Sequence, residues 1–444
     1  MTFVSFFGML AAIAVLILLI YKGFHALPVA IVSSLVVILT SGLDIWGSLV
    51  NGPNGSWAAT MVAFIQNNLL MFIFGATLGE IMGKSQYGFS IALKLMDWFG
   101  TKRAVLIVVL AATILSYGGV SMFVIVFAVY PIAVVVFKEA NITKHLLPGC
   151  VVAGAGTYVM TCLPGSPAVT NVIPTNYLGT TIYAAPVLGI ICGVVMFVVN
   201  FLYLCGQEKK YREKGEIFEP GVNEVIPEIN DETRKNAPNF VIAICPVLII
   251  FVLNLVLVRL GLNSTYSVCI SMCAAILFIV ATSFSKLKSS LQEAINKGAT
   301  NSINAIMNTC TVVGFGGVIK LAPAFKIVTN FALNLPFVPI ISATLATAII
   351  AGITTSSSGG LTMFLEMMGA DFLAKGVNPQ VLHRLSAIAA GTLDSLPHSG
   401  PNITLCLVIG TTMKKAYKHI GFVSVVAPTI TVIVGIILAT IGIC

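Results

Sequence analysis

The chain of 444 residues is 57% hydrophobic and 9% charged, with a formal net charge of +8. Soluble domains average roughly 45–50% apolar and about 25% charged residues, so a soluble globule is excluded. The Lys and Arg residues are scattered through short loops between apolar runs rather than gathered on one face, which argues against nucleic acid and leaves membrane lipid as the surroundings.

The first run, 3–21, reaches the ~18–20 residues that cross a bilayer core. No Lys or Arg precedes Lys22, so it lacks the positive start of a signal peptide and is expected to remain as a helix. The apolar runs are continuous rather than alternating, which predicts helices and not barrel strands. In chain order the first part reads as spans near 3–21, 25–41 and 60–82, a re-entrant hairpin near 104–137, a broken span near 148–178 and a span near 182–205. Residues 206–238 carry eight acidic and six basic side chains and read as a solvated linker. The second part reads as spans near 239–260, 266–284 and 303–320, a hairpin near 337–370, a broken span near 381–412 and a span near 420–443. Segments 84–100 and 321–335 are mixed enough to lie along the interface. The ten cysteines sit mostly in apolar runs and read as buried filler, without a metal or disulfide role.

Short motifs recur in the two parts. Ser116-Tyr117-Gly118-Gly119-Val120-Ser121-Met122-Phe123 matches Ser357-Ser358-Gly359-Gly360-Leu361-Thr362-Met363-Phe364, and Leu163-Pro164-Gly165-Ser166 matches Leu396-Pro397-His398-Ser399. Gly156-Thr157 and Gly391-Thr392 precede the Leu-Pro motifs; Gly-Thr-Thr follows each, at 179–181 and 410–412. The expected fold is therefore an all-α polytopic membrane protein of two repeats, 1–205 and 239–444. Each would have five spanning helices, one of them broken, and one re-entrant helical hairpin. Five crossings are odd, so the second repeat is inverted relative to the first. With the linker in the cytoplasm, all but Arg259, Lys320, Lys326, Lys375 and Arg384 of the 24 Lys and Arg residues fall inside, and both termini face outward.

Backbone that leaves helical geometry inside a bilayer costs several kcal/mol per unpaired group unless protein or a wet cavity satisfies it. Half-helix N-termini suit a carboxylate, and freed carbonyls suit a cation. Four interruptions, two from each half, are expected to converge on one site. Ser116, Ser121, Ser166, Ser356, Ser357, Ser358, Ser399, Thr170 and Thr404 offer hydroxyls, while Gly118, Gly119, Gly359 and Gly360 allow close approach to the backbone. Asn171 and Asn402 are placed to meet a substrate hydroxyl or carboxylate. The plainer reading of any one serine is a helix-to-helix hydrogen bond.

Ionisable residues at membrane depth are few. Asp394 and His398 flank the second Leu-Pro break and are the candidates for the coupling proton. His398 is also placed to meet a substrate carboxylate; the alternative is a structural Asp–His pair that fixes the break. Glu366 and Glu80 are weaker candidates, and Asn67, Asn68, Asn304 and Asn308 read mainly as interhelical caps. No Lys or Arg is expected at the midplane, which favours a small monocarboxylate or hydroxy acid over a phosphorylated or polyanionic substrate. Neither a Gly-x-Ser-x-Gly elbow nor a His-Glu-x-x-His motif occurs, so no catalytic residue, metal or cofactor is expected.

With its charged linker, its paired motifs and above all Gly391-Thr392-Leu393-Asp394-Ser395-Leu396-Pro397-His398-Ser399-Gly400-Pro401, the chain resembles the gluconate permease (GntP) family of the ion transporter superfamily. The last segment looks like that of members associated with hydroxybutyrate and other short organic acids. The resemblance implies proton-coupled import of a gluconate-like or short hydroxy-carboxylate substrate across the bacterial cytoplasmic membrane, often by a homodimer. Leu163-Pro164-Gly165-Ser166-Pro167 departs from the proline-richer form of sugar-acid members and points to a smaller acid. A sodium-coupled carrier or a cation antiporter remains the alternative.

Overall fold

The computed structural model describes residues 2–52, 55–117, 122–166, 168–221, 224, 226, 228–333 and 336–444, and every regular element among them is helical. Helices α1 (Thr2–Tyr21), α2 (Ala26–Ser41) and α3 (Trp57–Lys84) precede a short α4 (Tyr87–Phe99) and the pair α5 (Ala104–Tyr117) and α6 (Met122–Glu139). Four short pieces follow, α7 (Leu147–Ala155), α8 (Tyr158–Thr161), α9 (Val169–Val172) and α10 (Thr175–Leu178), and then the long α11 (Pro186–Glu213). After α12 (Asp231–Asn236) the order returns: α13 (Phe240–Arg259), α14 (Ser264–Leu287), α15 (Leu291–Leu321), a short α16 (Pro323–Leu333), and the pair α17 (Pro339–Thr354) and α18 (Ser357–Ala374). An interrupted α19 (Pro379–Leu393) and α20 (Gly400–Ile409) lead to a final rod of α21 (Met413–Gly421), a π-helical turn and α22 (Ala427–Thr440).

Packing between the halves is reciprocal. Helix α2 packs on α15 and α14 on α3; α1 packs on α16 and α13 on α4; α3 lies against α15 and α11 against α22. Among the described residues eight helices are long and apolar enough to cross a membrane: α1, α3, α6, α11, α13, α14, α15 and the final rod. The chain is thus an all-α polytopic membrane protein. Two elements bear on the number of crossings. Helix α2 has 16 residues and spans only about 24 Å. Helix α6, expected as one arm of a re-entrant hairpin, has 18 residues and is long enough to cross, because its apolar run continues unbroken from Met122 to Phe137.

The segments expected to be cytoplasmic gather at one end of the bundle. Lys84 pairs with Glu293 at 2.9 Å and Lys297 with Glu80 at 3.1 Å, joining α3 to α15. Asn301 also donates to Glu80 at 3.0 Å, so that weaker candidate is held in a contact between the halves. Lys286 donates to Asn236 O at 3.3 Å, and Lys418 to Gln207 Oε1 at 3.2 Å.

Most described residues of the linker 206–238 are exposed, as its charge predicts, but the segment is pinned to the bundle at several points. Helix α11 continues to Glu213 through most of the basic run, and the chain then folds back across α6. Phe218 N–H donates to Asn141 Oδ1 at 3.1 Å and Lys138 Nζ to Ile226 O at 3.0 Å. Glu224 reaches Lys144 at 2.7 Å, Gly221 N–H at 2.7 Å and the hydroxyl of Tyr130. Burial pushes the Glu224 carboxyl up, but these three donors outweigh it and hold its pKa below the usual carboxylate range. Lys144, counted among the loop cations, is accordingly buried.

Candidate functional site

The second interruption begins where α19 stops. Asn378 caps the start of α19, accepting from Gln380 N–H at 2.8 Å, and Pro379 opens its first turn. Fifteen residues later the helix ends at Leu393, and the Ser-Leu-Pro-His-Ser stretch carries the chain to α20, which has Gly400 and Pro401 in its first turn. A Cβ at Gly400 would lie 2.9 Å from Thr309 Cγ2 and 3.1 Å from Thr309 O, so a glycine lets α20 sit directly on α15. Thr404 continues that contact, meeting the Thr309 hydroxyl and donating to Ala305 O at 3.2 Å.

Asp394, half-buried, accepts from the Ser395 hydroxyl at 3.0 Å and lies near the hydroxyl of Ser357 at the start of α18. The second hairpin therefore touches the second break through two of the expected residues. Its tip is tight: Thr355 takes a left-handed conformation (φ 51°), and Ser356 caps α18 by accepting from Gly359 N–H at 3.0 Å and lies 3.3 Å from the Ser358 hydroxyl. Gly360 has a packing role, since a Cβ there would lie 2.4 Å from Ala351 Cα and push α18 off α17.

His398 is 1% exposed, and neither ring nitrogen has a hydrogen-bond partner among the described residues. It does not pair with Asp394. Asn402, also buried, donates to Ser395 O at 2.8 Å and so bridges the break, but its Oδ1 is unpartnered. Buried polar groups are nearly always paired, so the His398 ring and the Asn402 Oδ1, within five positions of each other beside a helix start, are open to a partner.

The first interruption is assembled differently. Residues 162–168 separate α8 from α9, with Gly165 at φ 80° donating to Ile182 O at 3.0 Å. Asn171 donates to Ser166 O at 2.8 Å and Ile182 O at 2.9 Å, while its Oδ1 accepts from Arg384 at 2.8 Å and His383 at 3.2 Å. Arg384 also donates to Ala184 O at 3.2 and 2.8 Å, Thr161 O at 3.4 Å and Ile182 O at 3.4 Å. Thr180 joins His383 at 2.7 Å, and Gln380 accepts from Ala185 N–H at 3.1 Å. The first turns of α19 thus hold the break of the other half.

Sequence reasoning missed this role of α19. Arg384, counted among the outside charges, is 0% exposed and lies inside the bundle. The expected span starts near 381, so Arg384 falls in its first turn and is counted with the outside charges. The signal present was a polar stripe: Gln380, His383 and Arg384 stand at i, i+3 and i+4 on one face of a helix.

The remaining expected residues are accounted for as follows. Ser116 is buried and donates to Ala155 O at 2.9 Å, and its neighbour Tyr117 donates to Pro164 O at 3.3 Å, so the first hairpin also meets the break of its own half. Gly118, Gly119 and Ser121 lie outside the described residues. Ser166 is buried and accepts from Ala168 N–H at 3.3 Å; Thr170 donates to Met160 O at 2.7 Å. Ser399 is buried at the start of α20. Glu366 is exposed on α18, away from this cluster's buried core. A Cβ on Gly391 would lie 3.1 Å from Thr161 Cγ2, which brings the ends of α19 and α8, and with them the two breaks, side by side.

No family model matches the chain. It is 31% identical to a Bacillus subtilis (strain 168) protein named as the uncharacterized transporter YxjC, in an alignment that covers 94% of this chain and 95% of that one. Likeness of that extent makes the chain a member of the same transporter family as YxjC.

Proposed function

We propose that the chain is a secondary active transporter of the gluconate permease family that imports a small organic anion, gluconate-like or a short hydroxy-carboxylate such as 3-hydroxybutyrate. Transport is by proton symport with alternating access across the bacterial cytoplasmic membrane. The halves 1–205 and 239–444 are inverted repeats, the linker is cytoplasmic, both termini face outward, and two copies form a homodimer.

The observation that carries this reading is His398, buried with both ring nitrogens unpartnered at the start of α20. An imidazolium, the N–H groups of a helix start and the hydroxyl of Ser399 suit a carboxylate, and the unpartnered Oδ1 of Asn402 is an acceptor for a substrate hydroxyl. Asp394, near Ser357 of the hairpin, is the group that takes the coupling proton, so protonation there bears on the contact between hairpin and break. The residues assigned to substrate are Ser116, Ser166, Asn171, Ser357, Ser358, Gly359, His398, Ser399 and Asn402. Asn171 acts there only if it exchanges its present partners.

The test is uptake of radiolabelled 3-hydroxybutyrate into proteoliposomes under an imposed inward proton gradient without sodium, with gluconate, lactate and citrate as competitors. Accumulation that collapses with a protonophore supports symport, and the effective competitor names the substrate class. Asp394→Asn should abolish pH-driven accumulation and spare exchange. A sodium-coupled carrier is the second reading, favoured by the hydroxyl-rich tip 354–358 around Asp394. Uptake that appears only when sodium is added would select it.

A further inference from the structure

Two cations, Lys144 and Arg384, are buried, and their charges are met in different ways. Lys144 faces the carboxylate of Glu224 at 2.7 Å. Arg384 faces neutral oxygens only: its five N–H groups are taken up by Ala184 O, Thr161 O, Ile182 O and Asn171 Oδ1. Among the described residues no carboxylate forms an ion pair with it. Hydrogen bonds satisfy donors without cancelling charge, and a guanidinium stays protonated in proteins. A buried charge without a counter-charge is costly, so a full positive charge held at this place needs a reason.

Its position supplies one. The guanidinium lies against Gly189, where a Cβ would come within 3.1 Å of Nε, and Cys162 and Cys192 flank it. Asn171 connects it to Ser166 O in the first break. Asp394 stands ten positions along the same helix, about 15 Å of helical rise, and lies near Ser357 and Ser395. The nearest anionic group of α19 is therefore too far away to neutralise Arg384. A ligand anion that enters beside the adjoining breaks would feel a positive potential little screened by water.

We propose that Arg384 is the fixed charge that makes the pathway selective for anions. It is a positioning and specificity-determining residue that acts through its field while its N–H groups hold the first break. This rests on the carrier reading above. The guanidinium does both jobs because its planar fork serves several carbonyls at once, which a lysine does not.

The experiment compares 3-hydroxybutyrate with its uncharged amide, 3-hydroxybutyramide, as inhibitors of labelled 3-hydroxybutyrate uptake in proteoliposomes. Wild type is expected to prefer the acid. Arg384→Gln should reduce that preference by about tenfold or more, and Arg384→Lys should retain most of it. Cys162→Asp or Cys192→Asp places a carboxylate beside an intact guanidinium and should reduce the preference as Arg384→Gln does, even if Arg384→Gln fails to fold. An unchanged preference in the folded aspartate variants overturns the inference, as does a loss in Arg384→Lys as complete as in Arg384→Gln. Wild type that takes up no organic anion removes the carrier reading and this inference together; normal wild-type uptake with unaltered variants removes this inference alone.

Discussion

In the first interruption the carbonyls of Thr161, Ser166, Ile182 and Ala184 are met by Asn171 and Arg384, whereas in the second the ring of His398 and the Oδ1 of Asn402 are buried without partners. Both grow from a Leu-Pro motif in an apolar run, and each is touched by the hairpin of its own half. The difference lies in what the other half contributes. Helix α19 brings Gln380, His383 and Arg384 to the first break. Helix α15 brings Thr309 and Ala305 to α20 but leaves His398 alone. A fully satisfied buried network is rigid, while a partly satisfied one gains most from a ligand. The first break is tied by the other half, and the second is the one that the proposed function assigns to the ligand.

The largest expected effect tests the scaffold. Asn171→Ala removes an acceptor of Arg384 and His383 together with donors to Ser166 O and Ile182 O, at about 1–3 kcal/mol for each buried group left unpaired. Thermal unfolding in detergent should show a much less stable protein or none recovered; a wild-type melting curve would mean that something else holds the break. Next is Gly400→Ala, whose Cβ would press on Thr309 backbone and side chain, at about 1–3 kcal/mol by the same assay. Wild-type stability there would show that α20 does not need its close seat on α15.

Smaller in stability, and opposite in sign, is His398→Leu. It removes an unpaired buried polar ring, so stability should hold or rise by about 1 kcal/mol while uptake is lost. Smallest is Glu224→Gln in the folded-back linker, about 1 kcal/mol near pH 7. The native carboxyl is held below its ordinary value of about 4.3. Its contribution is therefore complete above that value and is lost as pH falls through the lowered one. Stability measured against pH should show variant and wild type converging in acid; a constant gap would contradict the assignment.

Much of the helix order was legible because continuous apolar runs and Gly/Pro interruptions are local signals. Pro164 and Pro397 mark breaks that the structure contains, and the Ser357 and Asp394 contact joins two motifs read as neighbours. Arg384 was not legible by the same means. Its partner Asn171 is 213 positions away, and a cation near the start of an apolar stretch reads as a loop charge when only sidedness is scored. The contacts that pin the linker were not legible for a related reason. Its composition predicts solvation, but Glu224 finds Lys144 and Tyr130 on elements that only the fold brings within reach. Long pairings between polar residues leave little trace in local composition.

The most direct measurement is the thermal unfolding of wild type and His398→Leu, each with and without 3-hydroxybutyrate. If the second interruption is the ligand site, wild type gains stability with ligand, and His398→Leu without ligand is at least as stable as wild type and does not respond. A variant that is stabilised by the acid as strongly as wild type, or that is destabilised without it, would place His398 in the scaffold and contradict the division between the two breaks.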